Sequence, residues 1–175
     1  MKLLDFPNLR QTSDYDCGAK ALQSILAYYG ICIDEEKIMK IAGTNKRSGT
    51  TIPGIIKTLK KFNLKFYSGE SEIKKIKKQI DKKHPVILIL QAWAKKPKAD
   101  WENGWKNGHY VVAIGYDKNK IYFEDPASIF RTYLSYDELE KRWHNQQKNK
   151  KYNHYAIFVY NKKPDFSSRK KIHMN

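Results

Sequence analysis

The fold of the N-terminal half is decided by residues 11–30, which read QTSDYDCGAKALQSILAYYG. Apolar residues from Ala21 to Tyr29 recur at the i, i+3/i+4 and i+7/i+8 spacing of one helix face, and Gly30 stands where a glycine commonly ends a helix. Cys17 lies four residues before Ala21, which predicts a position in the first helical turn and on the inward face. The polar segment before it predicts a loop, so Cys17 marks a junction of loop and helix.

The same apolar spacing predicts three more helices in the first half of the chain. They are expected to begin at Asp34, near Thr51 and at Ser71, where a capping residue or an early proline favours a helix start. The third helix of the chain is expected to end near Phe62. The fourth is expected to bury three isoleucines, Ile73, Ile76 and Ile80.

From residue 85 onward the pattern is typical of strands. Pro85–Trp93 is an apolar run of strand length, and His109–Tyr116 and Lys120–Glu124 predict an antiparallel hairpin joined by a three-residue turn. A capping box at Ser135–Glu138 predicts a short helix, and Tyr152–Tyr160 predicts a last strand. Helices first and antiparallel strands second is the α+β order.

The chain has 175 residues, which is the size of one domain. Its 41% hydrophobic and 13% aromatic residues exclude a disordered protein. The longest aliphatic run, Val86–Leu90, is far shorter than the ~20 residues of a membrane span, and the N-terminus lacks the apolar core of a signal peptide. These features predict a cytoplasmic protein, and only export without a cleaved signal stays open.

The two cysteines, Cys17 and Cys32, cannot build a disulfide framework or a cysteine-type zinc site. No clustered ligand spacing implies a metal or an organic cofactor. Cys32 is interpreted as structural, whereas Cys17 is the candidate nucleophile because a helix N-terminus stabilises a thiolate. A free thiol is only about 3% ionised at pH 7, and the dipole shifts its pKa by less than about one unit, so a histidine partner is needed.

His109 is the histidine best placed to act as the base. It starts a strong strand directly after the Asn107-Gly108 turn pair, where a side chain is held rigidly and is still reachable. The other four are expected at a strand entrance, late in a helix beside Trp143, near the last strand and in the tail: His84, His144, His154 and His173.

Asp125 and Gln11 are the remaining candidates for an acyl-transfer site. Asp125 ends the partner strand, within about two residues of direct opposition to His109, where it can orient the imidazole. The Gln11 amide and the Cys17 backbone N–H would form a two-donor oxyanion hole. The alternatives are structural, since Asp-Pro is a common turn dipeptide and a loop glutamine is ordinary.

A loop of about fifteen residues between Trp93 and His109 contains Pro97, Trp101 and Trp105. Loops of this length are usually functional or disordered. Two tryptophans in such a loop predict either that it covers a site or that they pin it to the domain, and the sequence leaves both open.

Together these motifs resemble the C39 peptidases. The resemblance rests on Gln11-x5-Cys17-Gly18, Gly108-His109-Tyr110-Val111-Val112 and Asp125-Pro126-Ala127, and it extends from about Gln11 to Tyr160. It implies a papain-like cysteine peptidase fold, with a helical half packed on an antiparallel sheet. It also implies Cys17 as nucleophile, His109 as base, Asp125 as orienting residue and Gln11 in the oxyanion hole. A single domain over residues 1–160 and a flexible basic tail over 161–175 are expected.

The family is best known as the N-terminal domain of bacteriocin-exporting ABC transporters, where it removes leader peptides after a Gly-Gly pair. This chain departs from that pattern in two ways. No transmembrane or ATPase segment follows, which predicts a stand-alone member for which Gly-Gly specificity is not implied. Lys20 occupies a helix position where the family usually has a small residue, and it is expected either to form an outward salt bridge or to alter the pocket. A peptide or protein substrate is the expected partner.

Other functions stay open at this level. The same Cys-His-Asp arrangement serves acyl transfer, deamidation of glutamine side chains and isopeptide cleavage. The net charge of +16 raises the alternative of a module that binds nucleic acid, an anionic surface or a peptide. Because the lysines of the fourth helix complement an apolar stripe and no nucleic-acid motif accompanies them, a solvated face is favoured and such binding is kept as secondary. The oligomeric state is not encoded in any feature considered.

Overall fold

Four helices occupy most of the first half of the chain in the computed structural model, which describes residues 1–94, 99–160 and 162–174. They are α1 (Cys17–Tyr28), α2 (Glu35–Ala42), α3 (Ile52–Lys61) and α4 (Ile73–Asp81). Helix α1 ends as the sequence predicts, because Gly30 takes a left-handed φ of 76° that a glycine adopts without a steric penalty.

The predicted starts of α2 and α3 are confirmed in position, although only α3 has the predicted side-chain cap. Before α3, the Thr51 hydroxyl accepts a hydrogen bond from the backbone N–H of Gly54, as a capping residue should. Asp34 precedes α2 but does not cap it, because its carboxylate lies 3.1 Å from the Lys37 ammonium instead. Helix α4 begins two residues later than predicted, at Ile73, and it buries Ile76 and Ile80 fully.

A seven-stranded antiparallel sheet forms the second layer of the domain. Its strands are β1 (Lys2–Leu3), β2 (Lys65–Glu70), β3 (Val86–Gln91), β4 (Gly108–Tyr116), β5 (Lys120–Glu124), β6 (Thr132–Ser135) and β9 (Tyr155–Tyr160). They follow the order β2-β9-β3-β4-β5-β6 across the sheet, and β1 pairs with part of β4. The helical half packed on an antiparallel sheet confirms the α+β prediction.

Strand β3 lies at the centre of this sheet, and all six of its residues are buried. Burial on both faces explains why β3 is a continuous apolar run and lacks the alternation of a half-exposed strand. The predicted hairpin of β4 and β5 is present, with Val112 opposite Glu124. The register of this hairpin brings the start of β4 beside the end of β5.

A second, two-stranded sheet was not predicted. It consists of β7 (His144–Gln147) and β8 (Lys150–Asn153), and it follows helix α5 (Tyr136–Arg142), whose predicted capping box is present. His144 therefore begins a strand, and its prediction as a late helix residue is wrong. The single strand predicted over residues 152–160 is also wrong. Two strands, β8 and β9, cover this range, and they are separated at His154, which has a φ of 47°.

Residues 165–168 lie against the helical layer and the N-terminal segment. The backbone N–H groups of Asp165 and Phe166 donate to the Tyr28 carbonyl at the end of α1, at 3.1 and 3.2 Å. The Ser168 N–H donates to the Asp5 carboxylate at 2.9 Å. Within the residues that the structure describes, none of the helices has the length and apolarity required to cross a membrane.

We expect Gly54→Ala to destabilise the contact between α2 and α3. A Cβ at Gly54 would lie 2.2 Å from the Ala42 carbonyl oxygen, which is backbone and cannot rotate away. Overpacking of this kind costs about 1–3 kcal/mol and outweighs the helix propensity that alanine gains over glycine. Urea unfolding should therefore show a lower free energy of unfolding. Lys57→Ala, at an exposed position of the same helix, should change it by less than about 0.5 kcal/mol, and equal effects of the two variants would contradict the prediction.

Candidate active site

Cys17 lies at the first residue of α1, half-buried and in contact with the apolar core. The loop before it is organised by Asp16, which is fully buried. One oxygen of the Asp16 carboxylate accepts hydrogen bonds from the Ser13 N–H at 2.9 Å, the Thr12 N–H at 3.3 Å and the Thr12 hydroxyl at 2.9 Å. The loop from Gln11 to Asp16 is thereby folded against the start of the helix. The sequence predicted the loop but not this role of Asp16, although an Asp three and four residues after Ser and Thr was a usable signal.

His109 is brought to Cys17 by strand β4, against which α1 packs. Its side chain is buried, and Nε2 lies 2.7 Å from Oδ1 of Asp125. Cys17 also acts on the imidazole, since its side chain is one of the groups that raise the pKa of His109. Burial alone would lower the pKa of His109, but the hydrogen bonds and charges of Asp125 and Cys17 outweigh it and raise the pKa to about 9.

Asp125 follows β5 directly, where the hairpin register brings it beside His109. Because Val112 lies opposite Glu124, continuation of the ladder sets Asp125 against Val111, two residues from His109 and on the same face. This is the offset expected from the sequence. Burial would raise the pKa of Asp125, but the hydrogen bond and charge of His109 lower it below the ordinary value, together with the Ala127 and Trp93 N–H donors.

Gln11 lies in the loop beside these residues and does not contact Cys17 through its side chain among the described hydrogen bonds. Its backbone N–H donates to the Pro126 carbonyl at 3.0 Å, which joins the loop to the turn after Asp125. Its side-chain amide donates to the Ser13 carbonyl at 2.8 Å. The structure therefore bonds His109 to Asp125, places Cys17 at the start of the helix that packs against the His109 strand, and places Gln11 on the neighbouring loop.

A buried cluster of charges next to the site was not predicted. Glu124 is fully buried, and Arg10 Nη1 lies 2.8 Å from one of its oxygens, while Arg131 lies against the other. The same Arg10 nitrogen donates to the Asp125 carbonyl oxygen at 2.9 Å. Burial lowers the pKa of both arginines. This cluster fastens the N-terminal segment to the end of β5.

Lys20, the departure noted in the sequence, forms a buried salt bridge with Glu35 of α2 at 2.7 Å. The same Glu35 oxygen accepts a hydrogen bond from the Thr12 hydroxyl at 3.3 Å. The salt bridge predicted for Lys20 is therefore present, but it is buried between α1 and α2 and does not point outward.

An open cleft of about 860 Å³ lies beside Cys17. One wall is the segment from Asn45 to Thr51, and the opposite wall is the β7–β8 hairpin with Gln147 and Lys148. The floor includes Tyr110, whose hydroxyl accepts a hydrogen bond from the Gln147 amide at 2.9 Å. This wall of the cleft was not predicted, because the β7–β8 hairpin that forms it was not predicted.

The two loop tryptophans, Trp101 and Trp105, pack on side chains of the domain. The Arg142 guanidinium lies 4.1 Å from the Trp101 ring centroid, and the Trp105 ring packs on His144 with centroids 4.5 Å apart. Trp105 also lines the cleft beside Cys17. Pro97, which the sequence prediction included in this loop, lies outside the described residues.

A second groove, of about 480 Å³, lies on the other face of the sheet. Leu90 and Val111 line it, whereas their neighbours Ile89 and Tyr110 line the cleft beside Cys17. Asp125 also lines the second groove. The described residues hold no group of three or more His, Cys, Asp or Glu side chains that could bind a metal ion.

Comparison with known proteins identifies the family. The sequence profile of the Peptidase C39 family matches residues 5–163. The chain belongs to the C39 peptidase family. It is 26% identical, over 134 residues, to the pediocin PA-1 transport/processing ATP-binding protein PedD of Pediococcus acidilactici. The match covers 76% of this chain but only 17% of PedD.

Solved structures of C39 peptidase domains share the fold. The peptidase domain of Streptococcus ComA, a bi-functional ABC transporter of a quorum-sensing pathway, matches with a TM-score of 0.65 at 24% identity, covering 86% of this chain and 95% of that one. A double glycine motif protease from an AMS/PCAT transporter, solved with its leader peptide, matches with a TM-score of 0.65 at 21% identity, covering 90% and 93%. The papain-like fold implied by the sequence is confirmed, and family and fold identify a cysteine peptidase.

The raised pKa of His109 predicts a dependence of stability on pH. Folding favours the protonated imidazole, because its pKa rises from 6.5 to about 9. The resulting stabilisation is fully present below about pH 6.5 and is lost as the pH rises through about 9, by up to about 3 kcal/mol. Urea unfolding of wild type and of His109→Gln across this range measures it as the difference between the two curves. A constant difference from pH 6 to pH 10 would refute the prediction.

Proposed function

We propose that this protein hydrolyses peptide bonds, with Cys17 as nucleophile, His109 as general base and acid, and Asp125 as the residue that orients the imidazole. The observation that carries the proposal is the 2.7 Å hydrogen bond between the buried His109 imidazole and Asp125, on the strand against which the Cys17 helix packs. Cys17 is also one of the groups that raise the pKa of that imidazole. A nucleophile, a base and an orienting carboxylate in this order are the arrangement that acyl transfer requires. The open cleft beside Cys17 gives a polypeptide access to the sulfur.

The reaction follows from these roles in two halves. The Cys17 thiolate attacks the carbonyl carbon of the scissile bond, and the C–N bond breaks as His109 donates its proton to the leaving amine. A thioester remains on Cys17. His109 then takes a proton from water, the hydroxide attacks the thioester carbon, and the C–S bond breaks to release the thiolate and a carboxylic acid, which loses its proton to solvent. Asp125 stays ionised and stabilises the imidazolium that each half requires.

Gln11 is the side chain that we propose for the oxyanion hole, together with the Cys17 backbone N–H. A glutamine amide has two hydrogens, and the one given to Ser13 leaves the other for a substrate oxygen. Its loop is held by Asp16 on one side and by Pro126 on the other. This double attachment supports a fixed donor, which is what electrostatic stabilisation of an oxyanion requires.

The substrate that we propose is a peptide segment of the leader type. PedD is named as a transport/processing protein for pediocin PA-1, and one matching peptidase domain was solved with a leader peptide. A cleft of about 860 Å³ has room for several residues of an extended peptide. A library of leader-like peptides, with and without a Gly-Gly pair before the scissile bond, tests the substrate class and also this specificity.

We expect Cys17→Ala to abolish cleavage of such peptides and to leave the thermal stability close to that of wild type. The sulfur forms the acyl-enzyme, and a half-buried thiol at a helix start contributes little packing. Cys32→Ala is the matched control, because Cys32 is the exposed free cysteine beyond α1 and should retain full activity. Full activity of the Cys17 variant would overturn the assignment, and a Cys17 adduct with an electrophilic probe but no cleavage of any peptide would favour acyl transfer.

Asp125→Asn should lower kcat/KM by orders of magnitude while preserving the fold. An amide of the same shape removes the negative charge that stabilises imidazolium and can hold the ring in the wrong tautomer, a change that costs about 10⁴-fold in a serine protease triad. Steady-state kinetics with a cleaved peptide measures the loss. A loss below about threefold would remove Asp125 from the catalytic group.

A further inference from the structure

Asp125 is held by hydrogen bonds on both carboxylate oxygens. Oδ1 accepts from His109 at 2.7 Å and from the Ala127 N–H at 2.9 Å. Oδ2 accepts from the Trp93 indole Nε1–H at 3.1 Å and from the Thr132 hydroxyl at 3.2 Å. Of these four donors, His109 takes part in the proposed reaction and Ala127 contributes only its backbone. The side chains of Trp93 and Thr132 are the two donors that the proposed reaction does not use.

Trp93 is placed over Asp125 by an unusual backbone conformation. Strand β3 ends at Gln91, and the next N–H, that of Ala92, donates to the Asn107 carbonyl at 3.0 Å. Trp93 then has a φ of 55°, in the left-handed region that a bulky side chain rarely adopts. Such strain persists only where the surroundings stabilise it. Here the indole hydrogen bond to Asp125 is the contact that the conformation makes possible.

The exposure of Trp93 separates a hydrogen-bonding role from a packing role. Its side chain is 57% exposed, so the ring contributes little to the core. An indole has a single polar group, its N–H donor, and in Trp93 that group is directed at Asp125. A structural anchor would bury the ring, as the fully buried Trp143 does.

We propose that Trp93 is a positioning residue for the reaction, and that it acts through Asp125. This inference rests on the proposed function. The indole N–H and the Thr132 hydroxyl occupy Oδ2, so that Oδ1 is kept on the side of His109. Without the indole donor, the carboxylate can rotate and its charged form is less stabilised. Trp93 thereby helps to hold the orientation of the imidazole through Asp125. It also helps to keep Asp125 ionised at low pH.

Several charged groups surround Asp125, and all are unchanged in the variants used to test this. They come from β4, from the N-terminal segment, from the end of β5, from the segment before β6, and from α5: His109, Arg10, Glu124, Arg131, Glu138 and Arg142. A shift in the pH dependence between wild type and Trp93→Phe therefore reports the loss of one N–H donor. The direction is known, because a lost donor to a carboxylate raises its pKa.

The test is Trp93→Phe, which keeps an aromatic ring and removes only the N–H. Two readouts are measured from pH 3 to 10: kcat/KM for a cleaved peptide, and the rate at which iodoacetamide alkylates Cys17, followed by mass spectrometry. We expect kcat/KM to fall about tenfold, mainly through kcat, as for the loss of one hydrogen bond to a charged group. We also expect the acid limb of both profiles to move to higher pH. Thr132→Val should act in the same direction, and Thr132→Ser should retain activity.

Trp101→Phe is the matched control, because Trp101 lies in the loop after Trp93 and packs on Arg142. It should leave kcat/KM within twofold of wild type and both pH profiles in place. In an Asp125→Asn background, Trp93→Phe should change the alkylation rate by less than twofold, because a residue that acts through Asp125 has nothing left to position.

The failures of the two proposals differ in outcome. If wild type is active but Trp93→Phe keeps kcat/KM within twofold and leaves the acid limb unmoved, the positioning role is overturned and the proposed function stands. If Trp93→Phe and Trp101→Phe lose activity equally with no shift in pH dependence, the effect is structural and the positioning role is likewise overturned. If wild type cleaves no peptide and iodoacetamide alkylates Cys17 no faster than Cys32, both proposals fail together.

Discussion

The hydrogen bond between His109 and Asp125 is the constraint on which the arrangement of the domain depends. Both groups are buried, and a buried charged pair is stable only when each partner is held and hydrogen-bonded. Strands β4 and β5 must therefore pair in one register, since a slip of one residue would turn Asp125 to the other face. Helix α1 packs against β4, the strand that carries the same imidazole. One apolar layer between helix and sheet thus fixes the positions of Cys17, His109 and Asp125 together.

The neighbouring buried charge extends this constraint to the N-terminus. Glu124 has no access to solvent, and a buried carboxylate without partners would cost several kcal/mol. Arg10 and Arg131 supply the partners, and Arg10 stands directly before Gln11 while also donating to the Asp125 backbone. The segment before the helix is therefore attached to the end of β5 through these ion pairs and this hydrogen bond. The buried charges and Gln11 thus share one short stretch of chain, which composition and a net charge of +16 do not reveal.

Local patterns predicted the parts of the fold that local forces decide. Helix α1, the α5 capping box and the β4–β5 hairpin follow from spacing and turn residues, and the hairpin register was enough to pair His109 with Asp125. Strand β2 and the β7–β8 hairpin were not predicted, because they are polar and are stabilised by pairing with partners that the sequence does not specify. The Trp93 contact belongs to the same class, since a hydrogen bond across 32 positions has no local signature.

Two short motifs of the sequence are informative because each contains a glycine that the packing requires, Gly18 after Cys17 and Gly108 before His109. A Cβ at Gly18 would lie 2.6 Å from the Thr50 side chain and 2.9 Å from Tyr110, and a Cβ at Gly108 would lie 2.1 Å from the Asn145 side-chain oxygen. Real Cβ atoms are not found at such distances, so each position requires close approach of another element. Gly18 lets α1 settle on β4, and Gly108 lets β7 close against the start of β4. The glycine after Cys17 and the glycine before His109 are therefore constraints of tertiary packing that can be detected in sequence, because only one residue type has no side chain.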